Sequence, residues 1–255
     1  MTPREWEKAK NTAPLMPGFY NMDCMEGMRG FPDDYFDLAI VDPPYGVGAI
    51  TYMPGKREKG GSGYIDIYNC IVGTYDIKKT RPNIKTDVIH GTYRKKKEKI
   101  QTFGDENTAP PPEYFKELFR VSKNQIIWGG NYYLLPPSRG FVVWKKTNVP
   151  ENFSMAMCEF AWLSFPTNAK VFEHTAQNAR KNDPRIHPTQ KPVALYEWLL
   201  KLYAKPGDLI LDTHVGSASS LIASRRMGHE YVGFEIDKGY FDVAQARLAK
   251  EPALI

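Results

Sequence analysis

The chain has 255 residues, 42% of them hydrophobic and 25% charged, with a net charge of +5. That is enough apolar material for one large domain or two small ones and excludes a disordered chain, while the aperiodic 20 Gly and 20 Pro exclude a collagen-like or coiled-coil one. No apolar run reaches the ~20 residues of a membrane helix, the charged start Met1–Gly18 lacks a signal-peptide core, and Cys24, Cys70 and Cys158 have no paired spacing, all of which fits a cytoplasmic protein with no disulfide framework.

In chain order, the first clear strand is Phe36–Val41, a continuous apolar run of the kind buried in a parallel sheet. It ends at Asp42-Pro43-Pro44-Tyr45, where two prolines force a turn. A long insert follows, 46–104. It holds twelve Lys and Arg against five acids, a net of +7 that leaves −2 for the rest of the chain. Lys56, Arg57, Arg94, Lys95, Lys96 and Lys97 are interleaved with Tyr52, Tyr64, Tyr68, Tyr75 and Tyr93. The composition fits a solvated loop and a phosphate-contacting arm equally well.

Beyond the insert, Pro110–Pro112 open a helix with Tyr114, Phe115, Leu118 and Phe119 on one face. Gln125–Trp128, Phe141–Trp144 and Cys158–Leu163 read as strands. The C-terminal third alternates. A helix carrying Val193, Leu195, Trp198, Leu199 and Leu202 stops at Lys205-Pro206-Gly207. Strand Asp208–Leu211, turn Asp212–Ser217, helix Ala218–Arg226, strand Tyr231–Glu235 and helix Tyr240–Leu248 follow. This alternation predicts an α/β fold, a mostly parallel central sheet flanked by helices, with ligands beyond the carboxyl ends of the strands.

Two of those ends carry chemistry. The Asp212–Ser217 turn is built of small residues that let a ligand approach the backbone, and Glu235 ends the next strand, where an acid accepts hydrogen bonds from ribose hydroxyls. The pair describes a nucleoside site, against the plainer reading of a tight turn and a surface carboxylate. No GxGxxG is present, which disfavours a dinucleotide-dependent dehydrogenase. In the rigid Asp42–Tyr45 turn, the carboxylate and the Pro43 carbonyl offer two acceptors for the two hydrogens of a planar amine, and Tyr45 a flat ring for a base. Trp128 reads as core, and the five histidines form no metal set.

These motifs, in this order, resemble the S-adenosylmethionine-dependent amino-group DNA methyltransferases from about Phe19 to Leu248. Asp42-Pro43-Pro44-Tyr45 matches the family's catalytic tetrapeptide. Tyr20–Cys24, with Asp23 and Cys24, resembles the acidic motif at the cofactor's adenine. His187-Pro188-Thr189-Gln190-Lys191-Pro192 resembles the motif at its methionine end, so that His187, Thr189 and Lys191 are implied cofactor residues. Asp212, Thr213, Gly216 and Ser217 resemble the cofactor loop, and Glu235 the ribose acid. Trp144-Lys145-Lys146 and Phe153 lie in the stretch where the family lines its target pocket, which leaves Trp144 and Phe153 open between stacking on a flipped base and core packing. The catalytic motif precedes the cofactor loop, which is the permuted order of the family's beta class. Ala218 stands where the loop commonly has a second glycine, and 168–186 leaves little length for a recognition region, a role the 46–104 insert is free to take.

The resemblance implies a Rossmann-like methyltransferase fold, circularly permuted and filling one domain over 1–255. It also implies methyl transfer to an exocyclic amine in double-stranded DNA, with S-adenosylhomocysteine as product, a flipped-out base, no covalent enzyme–base intermediate and no metal. DPPY is more usual for adenine and SPPY for cytosine. A cytosine enzyme and a catalytically inactive DNA-binding module on the same scaffold are the alternatives, and the sequence leaves a homodimer open.

Overall fold

The computed structural model describes residues 14–46, 109–151, 156–176 and 185–251, all within the unit formed by Met1–Gly48 and Gly104–Ile255. Strand β1, Gly18–Asn21, passes through Asp23 into helix α1, Cys24–Arg29. Asp23 caps that helix by accepting from the Met25 N–H at 2.7 Å, which satisfies one of the amides a helix start leaves unpaired. Strand β2, Leu38–Val41, is buried throughout. It begins two residues later than the apolar run, because Phe36 meets Ser122 in a single bridge and Asp37 accepts from the Leu209 N–H and from Lys123.

Helix α2, Pro112–Val121, starts on proline and buries Tyr114, Leu118 and Val121, one stripe at helical spacing. Strand β3, Gln125–Trp128, runs into a 3-10 turn at Gly130–Tyr132. Strands β4, Phe141–Lys146, and β5, Cys158–Leu163, lie where the apolar runs placed them, and β6, Lys170–His174, is added. Helix α3, Val193–Tyr203, is followed by β7, Ile210–Asp212, which sits slightly downstream of the expected strand. Helix α4, Ser219–Arg226, strand β8, Tyr231–Glu235, and helix α5, Lys238–Leu248, complete the order.

The eight strands form one sheet in the order β1-β8-β7-β2-β3-β5-β4-β6. The first five are mutually parallel. Strand β5 is antiparallel to both β3 and β4, and β6 is parallel to β4. Successive residues of β2 point to opposite faces, as strand geometry requires. Leu38 and Ile40 join a core with Leu195, Leu199 and Leu221 from α3 and α4, while Ala39 and Val41 join one with Met28, Tyr114 and Leu118 from α1 and α2. Helices thus cover both faces of a mostly parallel sheet. No helix among the described residues is long and apolar enough to cross a membrane, and among them no cluster of three or more His, Cys, Asp or Glu could hold a metal ion.

The site follows from this order. Because β1, β8, β7, β2 and β3 are parallel neighbours, their carboxyl ends share one edge of the sheet. Along that edge stand Asp23, Glu235, Asp212, Asp42 and Gly129, brought together from positions that are far apart in the chain.

Candidate active site

At the end of β2, the Asp42–Tyr45 turn is held by side chains from other elements. Tyr45 donates its hydroxyl to Asp42 Oδ1 at 2.8 Å. Tyr133 reaches in from beyond β3 and its hydroxyl lies 2.7 Å from the Pro43 carbonyl oxygen and 2.9 Å from that of Pro44. The Tyr45 ring lies so close to Gly129 that a Cβ there would stand 2.3 Å from Cε1, and Gly129 has φ of +69°. Both facts require glycine at this position.

Beneath the turn is a buried charge cluster. Lys191 Nζ, on a side chain 2% exposed, donates to Asp42 Oδ2, pairs with Glu159 Oε2 at 3.1 Å and approaches the Tyr45 hydroxyl at 3.3 Å. Lys146 Nζ pairs with Glu159 Oε1 at 2.7 Å. Two carboxylates and two ammonium groups alternate, so the cluster is neutral as a whole, which is the condition for tolerating charge in a core. Burial disfavours the Lys191 ammonium, but Asp42 and Glu159 outweigh it and hold it charged. Burial raises the proton affinity of Asp42 more than Lys191 lowers it. Glu159 is partly buried, which raises its proton affinity, yet its two lysines hold it below the usual carboxylate range.

At the end of β7 the arrangement is local. Asp212 is 2% exposed, and among the described residues it forms no ion pair. It accepts from the His214 N–H at 3.0 Å and from the Ser220 hydroxyl. Burial, only partly offset by these bonds, pushes its carboxyl up to about 7. Thr213 shares a 2.6 Å hydrogen bond with the buried Tyr114 hydroxyl and another of 2.9 Å with His214 Nδ1. Glu235 at the end of β8 accepts from the Gly216 N–H at 2.8 Å and the Asp237 N–H at 2.9 Å. The loop and the β8 acid are thereby fixed to each other. Gly216 has φ of +52°, and Ala218, the residue before α4, has φ of +61°. Alanine thus occupies a left-handed conformation that suits the glycine it replaces in the resemblance. Ser217 is tied by its hydroxyl to Ser219 at 3.0 Å and by its carbonyl to Arg247 at 2.5 Å.

The His187–Pro192 segment bridges the two turns. His187 packs edge-on against Tyr240, ring centroids 4.4 Å apart, and a Cβ on Gly216 would stand 3.4 Å from its Nδ1. Burial pushes His187 down to about 4, so its imidazole is neutral at physiological pH. Thr189 Oγ1 lies 3.1 Å from His187 Nδ1. Four residues beyond His187, Lys191 reaches Asp42 instead of the Asp212 loop. Beside β1, burial pushes the Cys24 thiol up to about 12, which leaves it protonated.

The sheet therefore brings Asp23, Cys24, Asp42–Tyr45, His187, Thr189, Lys191, Asp212, Thr213, Gly216, Ser217 and Glu235 to one edge or to its cover. Trp128 and Trp144 lie in the core. Lys56, Arg57, Arg94–Lys97 and Phe153 fall outside the described residues. Sequence reasoning missed Tyr133 and Glu159, and it placed Lys146 only within a stretch that lines the family's target pocket, not as a partner of Glu159. The one signal for Glu159 was a lone carboxylate in an otherwise apolar strand, and Tyr133 left none, because its partner lies 90 residues away.

Residues 65–246 match the family model described as DNA methylase. Among curated proteins, the chain is 24% identical over 264 residues to Type II methyltransferase M.HinfI of Haemophilus influenzae, covering 89% of this chain but 66% of that one. It is 23% identical over 253 residues to Type II methyltransferase M2.MboI of Moraxella bovis, covering 89% and 86%. Among solved structures, the M1.HpyAVI–SAM complex superposes with a TM-score of 0.50 at 18% identity, over 91% of this chain and all of that one. The cytosine-N4-specific PvuII DNA methyltransferase superposes with a TM-score of 0.54 at 11% identity, over 92% and 87%. The fold is thus the Rossmann-like one of the DNA methyltransferases, with the Asp42 turn ahead of the Asp212 loop, and the match over 65–246 places this chain in the DNA methylase family.

Proposed function

We propose that the protein transfers a methyl group from S-adenosylmethionine to the exocyclic amine of adenine in double-stranded DNA. The observation that carries this reading is the row of Asp23, Glu235, Asp212 and Asp42 along adjacent parallel strand ends. A nucleoside-bearing cofactor and an amine held by Asp42 would be neighbours there.

The residues present fit that cofactor. Glu235 stands at the carboxyl end of β8, where an acid accepts hydrogen bonds from ribose hydroxyls. Gly216 lets a ligand come close to the backbone, and Asp23 and Cys24 stand one strand further along. A structural neighbour solved as a SAM complex supports the same choice. When bound, S-adenosylmethionine supplies a methyl group activated by its sulfonium. Asp42 and the Pro43 carbonyl then aim the amine. Both already accept hydrogen bonds from Tyr45, Lys191 and Tyr133, yet a carboxylate has about four lone-pair sites and a carbonyl two, so each keeps room for one amine hydrogen. Asp42 is also the nearest receiver for the proton the amine sheds, since burial raises its proton affinity. Positioning supplies most of the catalysis.

The +7 segment 46–104 supports contact with the DNA backbone. Neutralising Arg94–Lys97 then weakens DNA binding and flattens its salt dependence. Cytosine N4 is the second reading, favoured by the cytosine-N4-specific neighbour. Incubation with genomic DNA and S-adenosylmethionine, then digestion and mass analysis of nucleosides, tests all of this. N6-methyladenine is expected. N4-methylcytosine moves the assignment to the second reading, and no methylated base leaves the catalytically inactive DNA-binding module.

A further inference from the structure

The face of Tyr45 is already covered. Tyr132, the last residue of the turn after β3, lies on it with ring centroids 4.9 Å apart and planes 17° apart. A stacked base takes roughly 3.4 Å on each side, so none fits between rings this close. Among the described residues, Tyr45 is the only ring that Tyr132 pairs with, and Tyr132 is 40% exposed. The next residue is the opposite case. Tyr133 bonds the Pro43 and Pro44 carbonyls and packs its ring against Phe115 at 5.0 Å, within the core cluster of α1 and α2. One tyrosine braces the turn; the other rests on it.

We propose that Tyr132 keeps the place of the target base. Its ring lies on Tyr45 while no base is present, and a base leaving the duplex has to displace it. This rests on the reading that Tyr45 stacks a flipped base. Tyr132 is suited to the part because it follows Gly129 and Gly130 and its ring, 40% exposed, belongs to neither core cluster. The placeholder also discriminates. Only a base that stacks better on Tyr45 than Tyr132 does, while its amine satisfies Asp42, holds the site open. The apparent affinity for a flipped base is reduced by the fraction of molecules whose Tyr45 is covered. Stacked aromatic pairs have strengths that correspond to about two- to tenfold.

The test uses the full chain and a duplex carrying the methylation site found by modification-sensitive sequencing of DNA from expressing cells. The target base is placed opposite an abasic position, so that it is already unpaired, and dissociation constants are measured with S-adenosylhomocysteine present. Tyr132→Ala is expected to bind this duplex about two- to tenfold more tightly than wild type, with Tyr132→Leu following it. Tyr132→Phe, which keeps the ring, is expected to restore wild-type affinity. Weaker binding by Tyr132→Ala makes Tyr132 a wall of the base pocket and overturns the proposal, as does unchanged binding. Wild-type methyl transfer to the fully paired duplex separates the two readings. If it is absent, the proposed function falls and the placeholder with it. If it is present and Tyr132→Ala binds no tighter, the placeholder alone falls.

Discussion

Asp212 at the end of β7 and Asp42 at the end of β2 are carboxylates on paired, parallel strands, and each is satisfied by a different kind of partner. Asp212 takes a backbone N–H two residues away and a hydroxyl eight residues away. Asp42 takes an ammonium 149 residues away, which is itself held by Glu159 and, through it, by Lys146. Dipoles close in sequence leave Asp212 uncompensated, and its carboxyl titrates near neutrality. A cation gives Asp42 a charged partner, but that partner is present only once four elements have packed. The Asp212 side is thus a local cradle, and the Asp42 side is assembled by the fold.

The strongest way to break this contrast is to remove the cation. Lys191→Ala leaves Asp42 and Glu159 buried with too little positive charge and is expected to lower stability by about 3–5 kcal/mol, read from denaturant midpoints. Among the described residues, no equivalent single deletion exists at Asp212, which forms no ion pair there. Asp42→Ala addresses chemistry instead. Glu159 still pairs with Lys191, so the loss of stability is expected to be smaller than in Lys191→Ala and is read from the same denaturant midpoints. Methyl transfer is expected to drop about a hundred- to thousandfold, while calorimetry shows S-adenosylmethionine binding intact. Loss of both together would merge the two regions into one.

A pH series sharpens the Asp212 side. Burial lifts this carboxyl from 3.8 to about 7. Between those values the folded chain keeps a proton that the unfolded chain has released. The group's contribution to stability is therefore full below about pH 3.8 and is lost as pH rises through about 7. His187 and His214, pushed down from 6.5 to about 4 by burial, act in the opposite sense. Their contribution is full above about pH 6.5 and is lost as pH falls through about 4. Asp212→Asn removes the one group of these three that opposes acid unfolding. Its stability should fall more steeply on acidification than wild type, by up to about 1.4 kcal/mol per pH unit between the two carboxyl values. Parallel curves would place the Asp212 carboxyl near its ordinary value.

The smallest effect is expected at Ala218. Its φ of +61° is a conformation that glycine adopts freely, so Ala218→Gly should raise stability by about 1 kcal/mol in thermal melts. A loss of stability would mean that the alanine methyl, fully buried, contributes more by packing than the backbone loses by strain.

The interior strands were legible as apolar runs because burial on both faces demands them. The two strands with no sequence signal, β1 and β6, are the two edges of the sheet. An edge strand has one neighbour and more solvent, so its composition is mixed, as in Lys170–His174, where two of five residues are charged. The helix face of α2 was likewise legible at Tyr114 and Leu118, where helical spacing sets the buried stripe. Within the site, the Asp42–Tyr45 turn, the Asp212–Ser217 loop and Glu235 could be named because each is marked by residues of its own segment, whereas Tyr133 and Lys191, which hold the turn, come from far along the chain.

What the sequence determined by itself is therefore the set of local devices: an α/β alternation, two special turns at strand ends, an acid closing β8, and a basic excess confined to 46–104. What only the tertiary structure decided is which of these meet, and on what terms. Parallel pairing of β1, β8, β7 and β2 sets four distant acids in a row. The bridging segment sends His187 to the Asp212–Ser217 loop and Lys191 to Asp42. Tyr132 covers Tyr45, and Glu159 and Lys146 complete a neutral cluster. A side chain's reach across the fold leaves no periodicity in its own segment, whereas a turn, a cap or a buried strand must be written into the residues that form it.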